Sequence, residues 1–398
     1  MNRIALKIQR RRSPRAAINE IGIVKAVQRH GPCDSIIDLQ EAFFYDGHLC
    51  LAYGIHGRSL DDEIGDRPLT VRQTLSVTRQ MLHALRHLHD AGFTHTDLKP
   101  DNILHHRRSG KVKLADLGSA AEKLETGDSL CTREYTPPEV LLGSSLTPAI
   151  DYWSLGCTVF EMLTGELLFD PRSQAAAKYQ EFYFTDEESE DEPPHESVAA
   201  DEAAEAAEQY APGDLIAGKY RLEKELGRGR FGTVWAAVVD HPDVSLDGSF
   251  DTLWQHCLDQ ESLKPVPTGA QAGARSWKKE KGADDLRDLA LNHEHLLQID
   301  RLFGPLPPQL ILSGTFRTSF FTPDGRFRHP GPSKAETCAS RLRSGAPHLA
   351  RTEVKRFAEI IANLCHLDPA RRSLVDPRLL RISAKASSRG RAATAITS

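Results

Sequence analysis

Residues 92–104 read Gly-Phe-Thr-His-Thr-Asp-Leu-Lys-Pro-Asp-Asn-Ile-Leu. Asp97 and Lys99 stand two apart, Pro100 stops any helix, and Asn102 follows before an apolar pair resumes extended structure. Those residue types suit phosphoryl transfer. One carboxylate takes or orients a hydroxyl proton, one ammonium steadies the moving phosphate, and one amide carbonyl helps hold a metal ion. A second carboxylate, Asp116, lies in Lys-Val-Lys-Leu-Ala-Asp-Leu-Gly at 111–118. At a strand end beside Asn102 it suits Mg²⁺, a hard ion that prefers oxygen. The plain alternative is a polar loop that carries these residues by chance, and the remaining pieces of the chain weigh against it.

The elements that must position these groups are readable in outline. Residues 3–8 form a short apolar run with one charge, Lys7, and Ala16 to His30 reads as a helix containing Glu20 and ended by Gly31-Pro32. Apolar segments at 36–44 and 48–55 are joined through Tyr45-Asp46-Gly47, a hairpin signal. An amphipathic helix over 70–91 starts with a Thr70/Gln73 capping box, buries Val71, Leu75, Leu82 and Leu85, and delivers the chain to the Asp97 loop. Asp151 opens an apolar helix at 151–164. Residues 186–192 are almost all acidic and lead into an Ala/Glu-rich linker; Ser189 within them is a candidate acid-directed phosphorylation site or simply part of a solvated tract. Next comes Gly227-Arg228-Gly229-Arg230-Phe231-Gly232-Thr233-Val234, flanked by two alternating strands rather than opening a helix.

Composition bounds the reading. The chain has 398 residues, 40% hydrophobic and 26% charged, with net charge −5, so nothing global points to nucleic acid or a membrane surface. No apolar run is long enough to span a bilayer, and the start lacks the apolar core of a signal peptide. Seven cysteines without Cys-x-x-Cys spacing suggest reduced thiols, no zinc site, and a cytoplasmic or nuclear setting.

The loop at 92–104 resembles the catalytic loop of eukaryotic protein kinases, and the glycine run resembles their glycine-rich loop. The resemblance implies an α+β, two-lobed fold, with a small antiparallel-sheet N-lobe and a mainly helical C-lobe. It implies Ser/Thr phosphorylation with ATP and Mg²⁺ on a protein substrate, and Lys99 favours Ser/Thr over Tyr acceptors. Asp97 and Lys99 would carry the chemistry. Lys7, paired with Glu20, would hold the α- and β-phosphates, though a surface lysine and a solvated glutamate remain the plain reading of that pair. Gly227, Gly229, Gly232 and Val234 would cover the nucleotide, Asn102 and Asp116 would hold Mg²⁺, and Tyr53 would stand behind the nucleotide unless it is simply core. The resemblance also implies that Glu139 pairs with Arg372 and that Asp151 braces the catalytic loop.

Residues 292–307, Asn-His-Glu-His-Leu-Leu-Gln-Ile-Asp-Arg-Leu-Phe-Gly-Pro-Leu-Pro, resemble the motif that names the LAMMER (Clk-like) kinases and the related helix of SR-protein kinases. His95-Thr96-Asp97 points to the same groups, and Phe320 to Gly325 look more like SR-protein kinases, making Arg/Ser-rich proteins a candidate substrate class. Two departures stand out. Residue 136 is Thr where these relatives have arginine. The stretch 317–351 carries Arg317, Arg326, Arg328, Arg341 and Arg343, where SR-protein kinases use acidic residues to dock arginine-rich substrates.

The order of the pieces is unusual, because in kinases the glycine-rich hairpin precedes the lysine strand and here it follows by some two hundred residues. The expected division is 1–57 (lysine strand, αC and hinge hairpin of the N-lobe), 58–173 (first part of the C-lobe), 174–213 (acidic linker), 214–240 (glycine-rich hairpin), 241–283 (a connector with no assignment), 284–381 (second part of the C-lobe) and 382–398 (basic tail). Closure must cross on the order of 30 Å, which the leader spans easily at roughly 3.3 Å per residue. An absent hairpin would leave the lysine strand with a bare apolar edge. Strand 230–238 is therefore expected to pair antiparallel with residues 3–8 in the same monomer, with a swapped dimer as the alternative. The rival readings are a pseudokinase or scaffold and an inactive chain stitched from kinase fragments. No direct nucleic-acid partner and no membrane partner are expected.

Overall fold

The computed structural model describes residues 3–10, 14–125, 130–172, 210–228, 232–244, 246, 283–331, 336–372 and 375–381. The acidic tract with Ser189, Gly229, most of the 174–213 and 241–283 stretches and the basic tail lie outside the described residues.

In chain order, β1 (Arg3–Gln9) leads to α1 (Pro14–His30), then β2 (Leu39–Tyr45) and β3 (His48–Gly54). β4 (Arg58–Ser59), α2 (Leu60–Asp66) and α3 (Val71–Asp90) follow. After the Asp97 loop come β5 (Ile103–His106), β6 (Lys111–Leu114), α4 (Pro138–Leu142) and α5 (Ile150–Thr164). β7 (Leu215–Ile216), β8 (Tyr220–Arg228) and β9 (Gly232–Val239) precede helices at Ala283–Phe303, Pro308–Ser313, Arg317–Phe320, Cys338–Gly345 and Arg351–Leu364.

The alternation of β1 explains the larger sheet. Ile4, Leu6 and Ile8 point to one face, where they pack with Leu222, Trp235 and Ala237 from the late hairpin and with Phe43, Cys50 and Ala52. Ala5 and Lys7 point to the other, towards α1. The strand order is β2-β3-β1-β9-β8-β7. β1 lies between β3 and β9 and is antiparallel to both, with Arg3 opposite Val238, Lys7 opposite Val234 and Gln9 opposite Gly232. The late hairpin thus lies beside the lysine strand and runs antiparallel to it. Gly232 is needed at this junction, since a Cβ there would stand 2.3 Å from the Ile8 carbonyl oxygen.

The sheet also curls until its first strand meets the late hairpin. Glu41 on β2 accepts from Lys219 Nζ at 3.0 and 3.1 Å and from the Tyr220 hydroxyl. The Tyr220 ring stacks on Phe43 with centroids 5.6 Å apart.

The second body is helical. Thr70 and Gln73 form the capping box of α3. The buried stripe of α3 is Leu75, Val77, Met81, Ala84, Leu85 and Leu88, whereas Val71 and Leu82 are only partly buried. α5 is buried along its whole length and packs against α3 and Arg351–Leu364. The strand expected over 111–118 stops at Leu114, because Asp116 turns left-handed at φ 57° and the chain enters a short 3₁₀ turn. The helix that carries the first part of the 292–307 run begins earlier, at Ala283, and ends at Phe303. All six described cysteines are free. No helix among the described residues is long and apolar enough to cross a membrane.

Candidate active site

Between the sheet and the helical body, two groups of polar side chains converge. The first centres on Lys7, whose Nζ lies 2.7 Å from Glu20 Oε2 on α1 and 2.7 Å from Asp116 Oδ1 after β6. Burial by itself would lower the Lys7 pKa, but the two carboxylates outweigh it, so the ammonium stays charged well above its ordinary range. Asp116 is only half-buried; its partial loss of solvent would raise its pKa, yet the adjacent Lys7 holds it below the usual carboxylate value. α1 is tied to the same segment by Asn19, whose Nδ2 donates to Ala120 O at 2.9 Å and to Gly118 O at 3.3 Å.

The second group is the Asp97 loop. Asp97 Oδ1 accepts from the Thr132 hydroxyl at 2.6 Å and the Thr132 backbone N–H at 3.0 Å. Lys99 Nζ lies 3.2 Å from Asp97 Oδ2 and donates to Thr132 Oγ1 at 2.9 Å. Asn102 Nδ2 donates to the Asp97 carbonyl at 2.8 Å. The loop is braced from below by Asp151, which is 1% exposed. Its carboxylate accepts from the backbone N–H groups of His95 (2.8 Å) and Thr96 (3.0 Å) and contacts His89 Nε2 at 2.8 Å. Those bonds hold Thr96 at φ 68°, a strained setting for a β-branched residue. His95 Nδ1 accepts from the Asp97 N–H, which leaves Nε2 to donate to Ala115 O at 3.0 Å. The two groups meet because Ile103 of β5 pairs with Leu114 of β6, setting Asn102 beside Asp116.

The oxygen donors of Asp116 and Asn102 are the hard kind that Mg²⁺ takes. No group of three or more His, Cys, Asp or Glu among the described residues could hold a metal. Two protein oxygens fit an ion bound largely through phosphate and water. Of the glycine-run residues, Gly227 lies in β8 beside a bulge, Gly232 and Val234 lie in β9, and Gly229 is outside the described residues.

Sequence reasoning passed over Thr132, which bridges Asp97 and Lys99. Its signal is a hydroxyl in Cys-Thr-Arg-Glu-Tyr, just before Pro137-Pro138-Glu139. Arg133, next to it, reaches Asn292 Oδ1 and Asp288 Oδ1, both at 2.6 Å, so the helix Ala283–Phe303 supports this segment. Further along that helix, Glu294 Oε1 accepts from Arg301 (2.8 Å) and Gln298 (2.9 Å). Beside them His295 is fully buried; burial, aided by Arg133, pushes it down to about 3, so it is a neutral core residue against Phe169.

Tyr135 fixes the far end of the segment by donating to Glu161 Oε2 at 2.6 Å. Burial raises Glu161 to about 7; the Tyr135 hydroxyl opposes that, and the nearby Asp61, Asp101 and Glu134 add to it. A carboxyl whose pKa rises on folding binds its proton more tightly in the folded state. Folding stability then falls as pH rises from the ordinary carboxyl range through about 7. Glu161→Gln, which keeps an acceptor for Tyr135, is expected to remove that slope, on the order of 1–3 kcal/mol. Urea unfolding at pH 5 and pH 8 would measure it. Equal slopes in variant and parent would contradict it.

The protein kinase domain model matches residues 2–210. The chain is 36% identical over 154 residues to "Probable dual specificity protein kinase madd-3" of Caenorhabditis elegans, covering 34% of this chain and 17% of that protein. It is 32% identical over 165 residues to the serine/threonine-protein kinase prp4 of Schizosaccharomyces pombe, covering 39% and 34%. It is 33% identical over 193 residues to the dual specificity protein kinase CLK2 of Homo sapiens, covering 42% and 39%. The chain thus spans 17 to 39% of the length of these relatives.

Proposed function

The chain belongs to the protein kinase domain family, in the group that includes the Clk-like and SR-protein kinases, and we propose that it is an ATP-dependent serine/threonine kinase acting on protein substrates. The observation that carries this reading is the convergence of the Lys7–Glu20–Asp116 group with the Asp97–Lys99–Thr132 group in one cleft. In it, Lys7 holds the phosphates, kept in line by Glu20. Asp116 and Asn102 would hold Mg²⁺, and Gly227, Gly232 and Val234, with Gly229 assigned from the sequence resemblance alone, would cover the nucleotide. ATP with Mg²⁺ supplies the phosphoryl group and neutralises its charge when bound.

The protein's own share is positioning and proton handling. Asp97 orients the acceptor hydroxyl and takes its proton, and Lys99, close to Asp97, steadies the oxygens nearest that hydroxyl. Lys99 favours serine and threonine over tyrosine. Thr96 stands where many kinases carry the arginine that receives an activation-segment phosphate, and its hydroxyl donates to Ser119 O at 2.8 Å instead. Activity is therefore independent of phosphorylation of that segment. Arg/Ser-rich proteins are the candidate substrate class suggested by the resemblance, against which stand the exposed Arg317, Arg326 and Arg328. We place the protein in the cytoplasm or nucleus, as a monomer.

The test is transfer of labelled γ-phosphate to serine, threonine and tyrosine peptides, with acidic and Arg/Ser-rich contexts, before and after phosphatase treatment of the protein. Label on serine or threonine, unchanged by phosphatase, is the expected result. ATP binding without transfer would favour a scaffold.

A further inference from the structure

Glu20 has two carboxylate oxygens, and Lys7 occupies one of them. The other, Oε1, accepts a hydrogen bond from the Tyr53 hydroxyl at 2.7 Å. Tyr53 lies near the end of β3, opposite Ala5 of β1, and is 3% exposed, with its ring packed among Ile18, Ile21, Leu49 and Leu51. The ring therefore belongs to the core that seats α1, while the hydroxyl is spent on one atom. Glu20 itself is 1% exposed, so water offers Oε1 no substitute partner.

We propose that Tyr53 is a positioning residue that holds Glu20 in register with Lys7. The proposal rests on the kinase reading above for its effect on rate, and on geometry alone for the contact. A glutamate on a helix can leave its lysine by a shift of the helix or by a change of rotamer. A donor fixed in the sheet opposes both, because β3 and β1 are neighbours in that sheet, so the hydroxyl and Lys7 are held at a set spacing. The sequence places a bulky residue here, but only the hydroxyl distinguishes tyrosine from phenylalanine, and the structure shows what it binds.

Tyr53→Phe keeps the ring and removes the donor. Hydrogen bonds to a buried charged group imply about a tenfold loss in kcat/KM for ATP. The KM for the peptide substrate should be unchanged. A purely structural role would lower activity independently of Glu20, so the decisive experiment is a double-mutant cycle with Glu20→Ala, which removes the acceptor. If Tyr53 acts through Glu20, the double variant is no slower than Glu20→Ala alone. Parent-like activity in Tyr53→Phe, or losses that multiply in the double variant, would overturn the proposal. If the parent neither binds ATP nor transfers phosphate, the kinase reading fails first. Amide exchange across residues 18–30 then decides the contact: faster exchange in Tyr53→Phe than in the parent supports the clamp, and identical exchange rejects it.

Discussion

Asp97→Ala is expected to reduce phosphate transfer by about 10²–10⁴-fold, the usual contribution of positioned proton transfer. Nucleotide affinity should change little. The two expectations separate because Asp97 touches Thr132, Lys99 and Asn102, whereas Lys7 is bound to Glu20 and Asp116. Removing the Asp97 carboxylate also frees the Thr132 hydroxyl and N–H, so part of the loss will reflect a looser segment. Asp97→Asn tests this, since its amide oxygen still accepts from Thr132 but is a poor proton acceptor. A similar drop in kcat for both variants, with unchanged ATP binding by calorimetry, is the expected pattern. Full activity in either variant would remove Asp97 from the chemistry.

The largest effect on stability is expected at Arg372. Its side chain is 0% exposed and meets Glu139, itself 1% exposed, through both guanidinium Nη atoms. Its Nε donates to His366 O at 2.7 Å, and its plane lies 5.0 Å from the Trp153 ring. Arg372→Met fills much of the same space but leaves the Glu139 carboxylate buried without its partner. Breaking a buried pair from one side costs about 3–5 kcal/mol. Replacing both members, with Glu139→Leu added, should recover a good part of that loss, because no buried charge then remains. Denaturant midpoints of the helical body for the single and double variants would show it. A double variant less stable than Arg372→Met would mean that the pair contributes more than mutual neutralisation.

Much of this protein was legible in the chain. The spacing of Asp97, Lys99 and Asn102, the capping box at Thr70, and the glycine run between alternating strands all depend on neighbours within a few residues. Local backbone preference and apolar period settle such features without long-range information, and they were enough to identify the family. The partner of the lysine strand was also inferable, since an apolar strand with no neighbour on one side requires one. Register and contact were decided by packing. Lys7 stands opposite Val234 because Ile4, Leu6 and Ile8 share a face with Trp235 and Ala237. The bridge from Thr132 to Asp97 joins residues 35 positions apart and the hydroxyl of Tyr53 on Glu20 residues 33 apart, while the left-handed turn at Asp116 that ends β6 early sets it on Lys7, 109 positions away. No period or propensity encodes such meetings. They exist because the sheet and the helical body bury their apolar faces in one arrangement, and the polar groups left in the cleft must then satisfy one another.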